Sequence, residues 1–480
     1  MKGIFVGGEW RAPHDRRALG ATSPATGEAL GDFACGSAAD VDAAVTAAAA
    51  GAAAMRRLTP MDRARLCHRV ADRIHARREA LGRLVALEQG KPLLTEALPE
   101  VDEAVECFRI WGEEGRRLEG TVFSSADPQK RIFATRRPRG VYAIVTPWNW
   151  PLTMPAELLA PALAAGNAVV WVPAPSTSLI AIALQDCLAE AELPPGACNL
   201  VTGPGAIVGD AAVAHPGTHA VAFIGSIATG HRVAARAAGK PLLLELGGNG
   251  PFIVCADADI SRAAKAAAVG AFLCAGQSCA AAERILVHTS VAAPFLEALC
   301  AEVDRTRLGH PLDPDTTMGP LNNGSVADKT ERHVEEARRR GATICRGGRR
   351  APGRPTPLYY EPTVLSGVTP GMEIFEEETF GPVAPVATFD REEALCDLVR
   401  GPYGLVGAVW SRDVARALAL AESLDCGVVN VNETTNYWEL HVPYGGMRHS
   451  GVGRIGGRAS IEAMTDVQTI ILDLRRDAPA

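Results

Sequence analysis

Three side chains suited to carbonyl chemistry lie in short motifs of this sequence. Cys279 follows a Gly-Gln turn and precedes a predicted strand at Ile285–Val287. A cysteine is an effective covalent nucleophile because its thiolate attacks carbonyl carbons readily. Glu245 lies near the end of an apolar strand, where lost hydration raises the pKa of a carboxyl group and suits it to general-base catalysis. Asn149 lies in a turn fixed by two prolines, and a rigid side-chain amide stabilises a developing oxyanion.

Each motif taken alone also has a purely structural interpretation. A cysteine in an apolar stretch is commonly a core residue, which is the interpretation that we give to Cys274. Glu245 alone equally fits a buried carboxyl group with a structural partner. Asn149 alone equally fits an ordinary turn asparagine.

Alternating strands and helices must position these side chains. Strands that alternate with helices predict a parallel sheet, which binds ligands at the carboxyl ends of its strands. Gly225 and Ser226 follow one predicted strand and open a helix, where backbone N–H groups attract phosphate. The tail Thr465–Leu472 predicts a terminal strand. The predicted strands of the sheet are Val141–Val145, Ala168–Val172, Asn199–Val201, Ala220–Ile224 and Leu242–Leu246.

Length and composition restrict the classes of function. The chain has 480 residues, of which 47% are hydrophobic and 21% are charged, so it can bury a large core. Its formal charge of −7 leads us to expect no nucleic-acid or membrane partner. The 12 Cys follow neither a disulfide framework nor zinc spacing, so we expect reduced thiols and no metal site. The first residues contain no long apolar stretch, which predicts a cytoplasmic protein.

Taken together, the motifs resemble those of the aldehyde dehydrogenase superfamily. The resemblance covers essentially the whole chain. The motifs that match in order and spacing also include Pro161–Asn167, Glu377–Pro382, Tyr403–Leu405 and Pro443–Met447. It implies an α/β fold with a Rossmann-type dinucleotide-binding domain at residues 1–119 and 139–250. It further implies a catalytic domain at 251–447, and a small oligomerisation element at 120–138 and 448–480. Members of the superfamily are usually homodimers or homotetramers, which is the assembly that we expect.

The resemblance also implies a role for each site residue. Cys279 would attack the aldehyde, while Asn149 and the Cys279 N–H would hold the oxyanion. Glu245 would activate the water that hydrolyses the thioester, which favours a free acid over transfer of the acyl group to coenzyme A. A member of the fold that binds without turnover is the other alternative. The cofactor, NAD or NADP, would contact Trp148, Gly225, Ser226, Glu378 and Phe380.

The chain departs from the family pattern where the adenosine ribose would bind. Val172 stands in place of the usual lysine, and Pro175 offers no carboxylate to repel a 2′-phosphate. Ser176 can hydrogen-bond to either cofactor, so NAD and NADP both stay open, with NAD slightly favoured. Asn249 and Cys274 replace a common lysine and a common asparagine at positions outside the direct chemistry.

The resemblance places the aldehyde in a tunnel with an acidic side chain. Relatives that oxidise succinic semialdehyde carry an arginine where Glu157 stands, so an acid at this position disfavours anionic substrates. The neighbouring aromatic residues suit a cationic or amino-aldehyde, or else an apolar or aromatic aldehyde, and both alternatives stay open. The tunnel is predicted to comprise Trp150, Met154, Glu157, Ser278, Tyr437 and Trp438.

Overall fold

The computed structural model describes residues 2–475, which form helices packed on two large sheets, together with a three-stranded and a two-stranded sheet. The helices are α1 Ala38–Arg57, α2 Pro60–Ala76, α3 Arg78–Glu88, α4 Leu98–Arg116, α5 Thr153–Ala164, α6 Ser178–Glu190, α7 Asp210–Ala214, α8 Ile227–Arg236, α9 Ile260–Phe272, α10 Ala292–Val303, α11 Gly324–Arg339, α12 Glu373–Glu376, α13 Glu392–Leu398, α14 Val414–Ser423 and α15 Gly457–Ala463.

The strands have two to nine residues each. They are β1 Ile4–Val6, β2 Glu9–Arg11, β3 Ala18–Thr22, β4 Ala29–Ala34, β5 Thr121–Phe123, β6 Lys130–Pro138, β7 Val141–Val145, β8 Ala168–Val172, β9 Cys198–Leu200, β10 Ala220–Gly225, β11 Leu242–Leu246, β12 Pro251–Val254, β13 Arg284–His288, β14 Thr343–Arg346, β15 Thr363–Ser366, β16 Val383–Phe389, β17 Val406–Trp410, β18 Val428–Val431, β19 Gly451–Val452 and β20 Thr465–Asp473.

The first sheet has eight strands in the order β19-β11-β10-β7-β8-β9-β1-β2. Its central strands β11, β10, β7, β8 and β9 pair in parallel. These are the five strands predicted from the sequence: three have the predicted bounds, β9 both starts and ends one residue earlier, and β10 ends one residue later. Continuous apolar segments such as β8, buried along its whole length, form strands here because helices cover both faces of the sheet. The predicted α/β fold is confirmed.

The second sheet has seven strands in the order β14-β15-β16-β13-β12-β17-β18. Strands β12, β13, β16 and β17 at its centre pair in parallel. The predicted strand Ile285–Val287 lies within β13. Because β13 follows the Cys279 loop, this strand fixes the loop against the rest of the second sheet.

The third sheet contains three antiparallel strands in the order β20-β6-β5. The predicted tail strand is β20, which pairs with β6 from Thr465 opposite Pro138 to Asp473 opposite Lys130. The division of the chain into three units stays a prediction. One detail differs from it: β19, expected in the oligomerisation element, pairs with β11 of the first sheet.

Helix α1 is long and apolar enough to cross a membrane by length and composition alone. It packs against β8 and β9, and its apolar residues Val41, Ala44, Val45, Ala48 and Met55 are buried. A capping box begins the helix: the Ser37 N–H donates to Asp40 Oδ2 at 2.8 Å. A helix with one face buried against a sheet in this way has the packing of a core helix.

Candidate active site

A cavity of about 200 Å³ lies where the two large sheets approach each other. Its walls come from the residues after β7, from the ends of β10 and β11, and from the loop before β13. The carboxyl ends of neighbouring parallel strands meet at one edge, which brings these distant segments together. Of the residues predicted to form the site, all except Ser176 and Tyr437 line it: Trp148, Asn149, Trp150, Met154, Glu157, Gly225, Ser226, Glu245, Ser278, Cys279, Glu378, Phe380 and Trp438.

Cys279 lies in a turn that the preceding residues hold in an unusual conformation. Cys274, Ala275 and Gly276 have φ of 54°, 53° and 74°, and only glycine adopts this left-handed region without strain. The Gln277 side chain clamps the turn, since its Nε2 donates to the Cys274 carbonyl at 2.8 Å and its Oε1 accepts from the Asn322 N–H at 2.9 Å. The turn thereby directs the Cys279 side chain into the cavity.

Two residues that line the cavity, Asn149 and Cys279 itself, carry N–H groups that are available to an oxyanion. Asn149 Nδ2 donates to the Gln277 carbonyl at 3.0 Å, which fixes the amide plane and leaves its second N–H for another acceptor. Within residues 2–475 the Cys279 backbone N–H has no hydrogen-bond partner. Two fixed donors beside a nucleophile form the arrangement that stabilises an oxyanion.

Glu245 is a buried carboxyl group on β11 that faces the same space. Its side chain is 3% exposed, and in the described part of the chain Oε1 has no hydrogen-bond partner. Burial raises the pKa of Glu245 to about 8, and the neighbouring Cys279 thiol offsets part of that rise. Burial and the Glu245 charge in turn raise the pKa of Cys279. A carboxyl group with a pKa near neutrality exchanges protons readily with a thiol or a water molecule.

The other half of the cavity carries the predicted cofactor residues. The Glu378 carboxylate accepts from the Gly248 N–H at 2.9 Å. A Cβ at Gly247 would lie 2.7 Å from the Glu378 carboxylate oxygens, so only glycine leaves room for this approach. The Phe380 and Trp148 rings pack edge to face with centroids 5.6 Å apart.

This half has features that fit a dinucleotide. Gly225 ends β10 and Ser226 caps the ten-residue helix α8, so the helix N-terminus points its N–H groups toward the cavity. Phe380 has φ of 59°, held by the buried Glu283 carboxylate, which accepts from the Phe380 N–H at 2.7 Å. Phosphate-attracting N–H groups and an adjacent carboxylate that can accept from ribose hydroxyls suit NAD or NADP.

The substrate half of the cavity is acidic and aromatic. Glu157 on α5 is 4% exposed, and in the described part of the chain its Oε2 has no hydrogen-bond partner. Burial raises the pKa of Glu157 to about 8, with the charges of Glu103 and Glu245 adding to the rise. The Trp150 and Trp438 rings pack edge to face with centroids 6.1 Å apart. No arginine lines this cavity among the residues that the structure describes.

A second cavity lies behind the Trp150 and Trp438 rings, which line both cavities. It carries three carboxyl groups, of which Glu100 pairs with Lys91 at 2.6 Å. The other two are Glu96 and Glu103, and burial raises the pKa of each to about 7. The remaining lining residues are Thr95, Pro99, Leu273, Asn436 and Tyr437.

The structure places two predicted site residues outside the central cavity. Tyr437 was predicted to line the tunnel. It lies outside the central cavity but lines the second cavity behind Trp150 and Trp438, so its contact with the substrate stays a prediction. Its ring is 49% exposed and its hydroxyl donates to Glu439 Oε1 at 2.6 Å, because the irregular segment after β18 turns Trp438 inward instead. Ser176 lies half-buried in the short turn after β8, away from the cavity, and its contact with the cofactor stays a prediction.

Cys274 and Asn249, the departures from the family pattern, have structural surroundings. The Cys274 sulfur accepts from Gln89 Nε2 at 3.3 Å and lies 3.6 Å from the Asn149 carbonyl, so it packs behind the oxyanion donor. Asn249 Nδ2 donates to the Phe375 carbonyl at 3.0 Å. Neither side chain lines the central cavity.

Sequence reasoning missed two polar residues that line the cavity. The Tyr444 hydroxyl lies 3.6 Å from the Cys279 sulfur. It belongs to the Pro443–Met447 motif, which carried the resemblance but suggested no role for this residue. Lys329 projects from α11, and its charge lowers the pKa of Glu378. Nothing in the local sequence around Lys329 distinguishes it from other surface lysines.

Comparisons with known proteins agree with this geometry. A sequence profile of the aldehyde dehydrogenase family matches residues 10–470. The chain is 35% identical to the mitochondrial succinate-semialdehyde dehydrogenase of Arabidopsis thaliana, covering 98% of this chain and 89% of that protein. It is 34% identical to the chloroplastic betaine aldehyde dehydrogenase of Beta vulgaris, covering 99% and 96%.

A solved structure gives the same result. The betaine aldehyde dehydrogenase of Staphylococcus aureus, crystallised with NAD⁺, matches with a TM-score of 0.96 at 32% identity and covers 100% of this chain and 96% of its own. The relatives' names favour neither a member of the fold without turnover nor a coenzyme A-acylating enzyme. The chain therefore belongs to the aldehyde dehydrogenase family, and its activity is the NAD(P)-dependent oxidation of an aldehyde.

Proposed function

We propose that this enzyme oxidises its aldehyde to the free carboxylic acid through a thioester on Cys279, with Glu245 as the base. The observation that carries the proposal is the meeting of Cys279, Glu245 and two N–H donors in one cavity. The nucleophile comes from a loop beside the second sheet and the base from the first sheet. A core cysteine and a structural carboxyl group would not need to share a cavity with fixed donors.

Attack on the aldehyde uses the thiol, the base and both donors. Glu245 receives the Cys279 proton, the sulfur lone pair forms the C–S bond, and the carbonyl π pair moves onto oxygen. Asn149 Nδ2 and the Cys279 N–H then donate to that oxyanion. One such fixed donor stabilises a transition state by about 3–4 kcal/mol.

Oxidation of the resulting thiohemiacetal requires the cofactor. When bound, NAD or NADP supplies the acceptor for the hydride that leaves the former aldehyde carbon. Glu378 would hold the nicotinamide ribose, while Phe380 and Trp148 would pack beside the ring. Gly225 and Ser226 would receive the pyrophosphate at the start of α8.

Hydrolysis of the thioester returns the enzyme to its starting state. Once Glu245 has released its first proton to solvent, it takes a proton from a water molecule. The oxygen of that water bonds to the acyl carbon, and the sulfur leaves as the C–S bond breaks. The presence of this carboxyl group supports hydrolysis over transfer of the acyl group to coenzyme A.

The choice between the two cofactors rests on the turn after β8. Val172 is buried and Pro175 carries no charge, so this turn neither repels a 2′-phosphate nor attracts it. Ser176 would hydrogen-bond to either ribose form. We propose that the enzyme slightly prefers NAD, so kcat/KM should be higher with NAD than with NADP. A kcat/KM at least as high with NADP would contradict this.

We also propose that the third sheet joins copies of the chain into a dimer or tetramer. Its strands β5 and β20 expose a band of apolar side chains, which a second copy would cover: Val122, Phe123, Val467, Ile470, Ile471 and Leu472. We expect light scattering to give twice or four times the mass of one chain. Replacing Ile471 by glutamate should shift the protein toward monomer. A wild-type protein that is monomeric at micromolar concentration would contradict the proposal.

The substrate is proposed to be a cationic aldehyde, such as an amino-aldehyde. Lys91 pairs with Glu100 in the second cavity, and its charge also lowers the pKa of Glu96 and Glu103. Within residues 2–475, Glu96, Glu103 and Glu157 form no salt bridge of their own. The Trp150 ring already accepts a cation, since Lys91 Nζ lies 4.2 Å from its centroid. A bound ammonium group would favour the ionised form of Glu157 and lower its pKa from about 8.

Replacing Glu157 by glutamine tests this substrate proposal. The amide keeps the shape of the side chain but removes its charge, so kcat/KM for betaine aldehyde should fall about tenfold to a hundredfold. The value for hexanal, which has no charge, should change less than about twofold. The measurement is kcat/KM for betaine aldehyde, aminobutyraldehyde, benzaldehyde, hexanal and succinic semialdehyde with NAD and with NADP. A wild-type preference for succinic semialdehyde, or equal losses for betaine aldehyde and hexanal, would contradict the proposal.

A further inference from the structure

The Tyr444 hydroxyl contacts the sulfur of the proposed nucleophile. Its oxygen lies 3.6 Å from Cys279 Sγ, within the range of a hydrogen bond that involves sulfur. The Tyr444 backbone is fixed by two hydrogen bonds with Ile455, one in each direction, both of 2.8 Å. Ile455 is itself 3% exposed, so the phenol ring is held from a buried support rather than from a free loop.

The charged groups around Cys279 disfavour its anion. Burial and the carboxyl groups of Glu245 and Glu378 raise the pKa of the thiol, whereas the hydrogen bond with Tyr444 lowers it. Lys329 lines the same cavity, and its charge acts on Glu378. A hydrogen-bond donor beside the sulfur would therefore stabilise a Cys279 thiolate that forms among these carboxyl groups.

Tyr444 is suited to remain such a donor. Burial, together with the neighbouring Cys279, Glu245 and Glu157, raises its pKa well above the ordinary value. The phenol consequently keeps its proton over the pH range in which the enzyme would work. A phenylalanine at this position would fill the same space but would leave the sulfur without this partner.

We propose that Tyr444 is a further catalytic residue, whose Oη–H donates to the Cys279 sulfur and stabilises the thiolate that attacks the aldehyde. The proposal rests on the role of Cys279 proposed above. The thiol proton passes to Glu245 and the sulfur lone pair forms the C–S bond, while Tyr444 keeps its own proton throughout. Because the hydrogen bond favours the thiolate over the thiol, it raises the fraction of Cys279 that is ionised and able to attack.

Tyr444→Phe removes the hydroxyl and little else. The measurement is the rate at which iodoacetamide alkylates Cys279 as a function of pH, followed by mass spectrometry of the peptide that contains it. At pH 7 we expect alkylation about tenfold slower in the variant, with its pH midpoint displaced upward by about one unit. The limiting rate at high pH should stay within about twofold of wild type, because the thiolate itself is unchanged.

Tyr360→Phe provides the matched control. Tyr360 is 1% exposed and its hydroxyl has no hydrogen-bond partner in the described part of the chain, so its loss should leave the alkylation profile unchanged. A second variant replaces Tyr444 by 3-fluorotyrosine, a stronger donor of nearly the same shape. It should displace the midpoint downward, opposite to the effect of phenylalanine, which a general loss of folding would not produce.

Two results would overturn the proposal. One is a Tyr444→Phe profile that superimposes on wild type while Cys279 is still the alkylated residue. The other is a displacement in the same direction for phenylalanine and fluorotyrosine. Failure of the proposed function would give a different result. If Cys279 were not the nucleophile, enzyme alkylated at Cys279 would still oxidise aldehydes.

Discussion

Replacing Cys279 by alanine is expected to lower kcat for aldehyde oxidation by about 10⁴-fold or more, to the background of the assay. The loss is large because alanine supplies no nucleophile, and the remaining donors act on an oxyanion that no longer forms. The measurement is the absorbance of reduced nicotinamide at saturating aldehyde and cofactor. Binding of NAD, followed by fluorescence titration, should change less than about threefold, since Glu378, Phe380 and Trp148 are untouched.

Cys274→Ala is the control for this prediction. Cys274 is 2% exposed and packs behind Asn149 rather than in the cavity. Its replacement removes no reacting group, so aldehyde oxidation should persist within about tenfold of wild type. Turnover that survives in Cys279→Ala but disappears in Cys274→Ala would exchange the roles of the two cysteines.

Glu245→Gln is expected to separate formation of the thioester from its hydrolysis. The amide cannot take a proton from water, so steady-state turnover should fall about 10²–10⁴-fold. Rapid mixing with aldehyde and NAD above pH 9, where the thiol ionises more easily, should still release up to one equivalent of reduced cofactor per active site. Loss of this single turnover at every pH would contradict the expected separation, because formation of the thioester would then depend on Glu245 as strictly as its hydrolysis does.

The pH dependence of hydrolysis follows from the same carboxyl group. Burial raises the pKa of Glu245 to about 8, and only the ionised form accepts a proton. Hydrolysis of a preformed acyl-enzyme should therefore accelerate about tenfold per pH unit below pH 8 and level off above it. In Glu245→Gln the levelling off above pH 8 should disappear, leaving only a slow reaction with hydroxide whose rate keeps rising about tenfold per pH unit.

The sequence predicted the central part of the site because a simple geometric rule applies to it. Asn149, Gly225 and Glu245 all follow or end apolar strands of one parallel sheet, and the carboxyl ends of such strands meet at one edge. Their proximity therefore follows from strand spacing alone. The position of Cys279 opposite them, on a loop of the second sheet, could be anticipated only from the family resemblance.

The position of Tyr437 outside the central cavity and the omission of Tyr444 share one physical cause. Both lie in residues 432–447, which form no helix and no named strand, so their side-chain directions follow no period. The contact between Tyr444 and Cys279 joins residues 165 positions apart. The paired hydrogen bonds with Ile455 that aim the phenol exist only after the chain has folded around both sheets.

The central claim is that the aldehyde carbon becomes a thioester on Cys279 and that Glu245 hydrolyses it. The most direct test is to quench Glu245→Gln during its single turnover with hexanal and NAD, and to map the peptides by mass spectrometry. The account predicts an added hexanoyl group on the peptide that contains Cys279, removable by hydroxylamine as a thioester is. A reduced cofactor yield without any acyl adduct, or an adduct carried by Cys274, would contradict it.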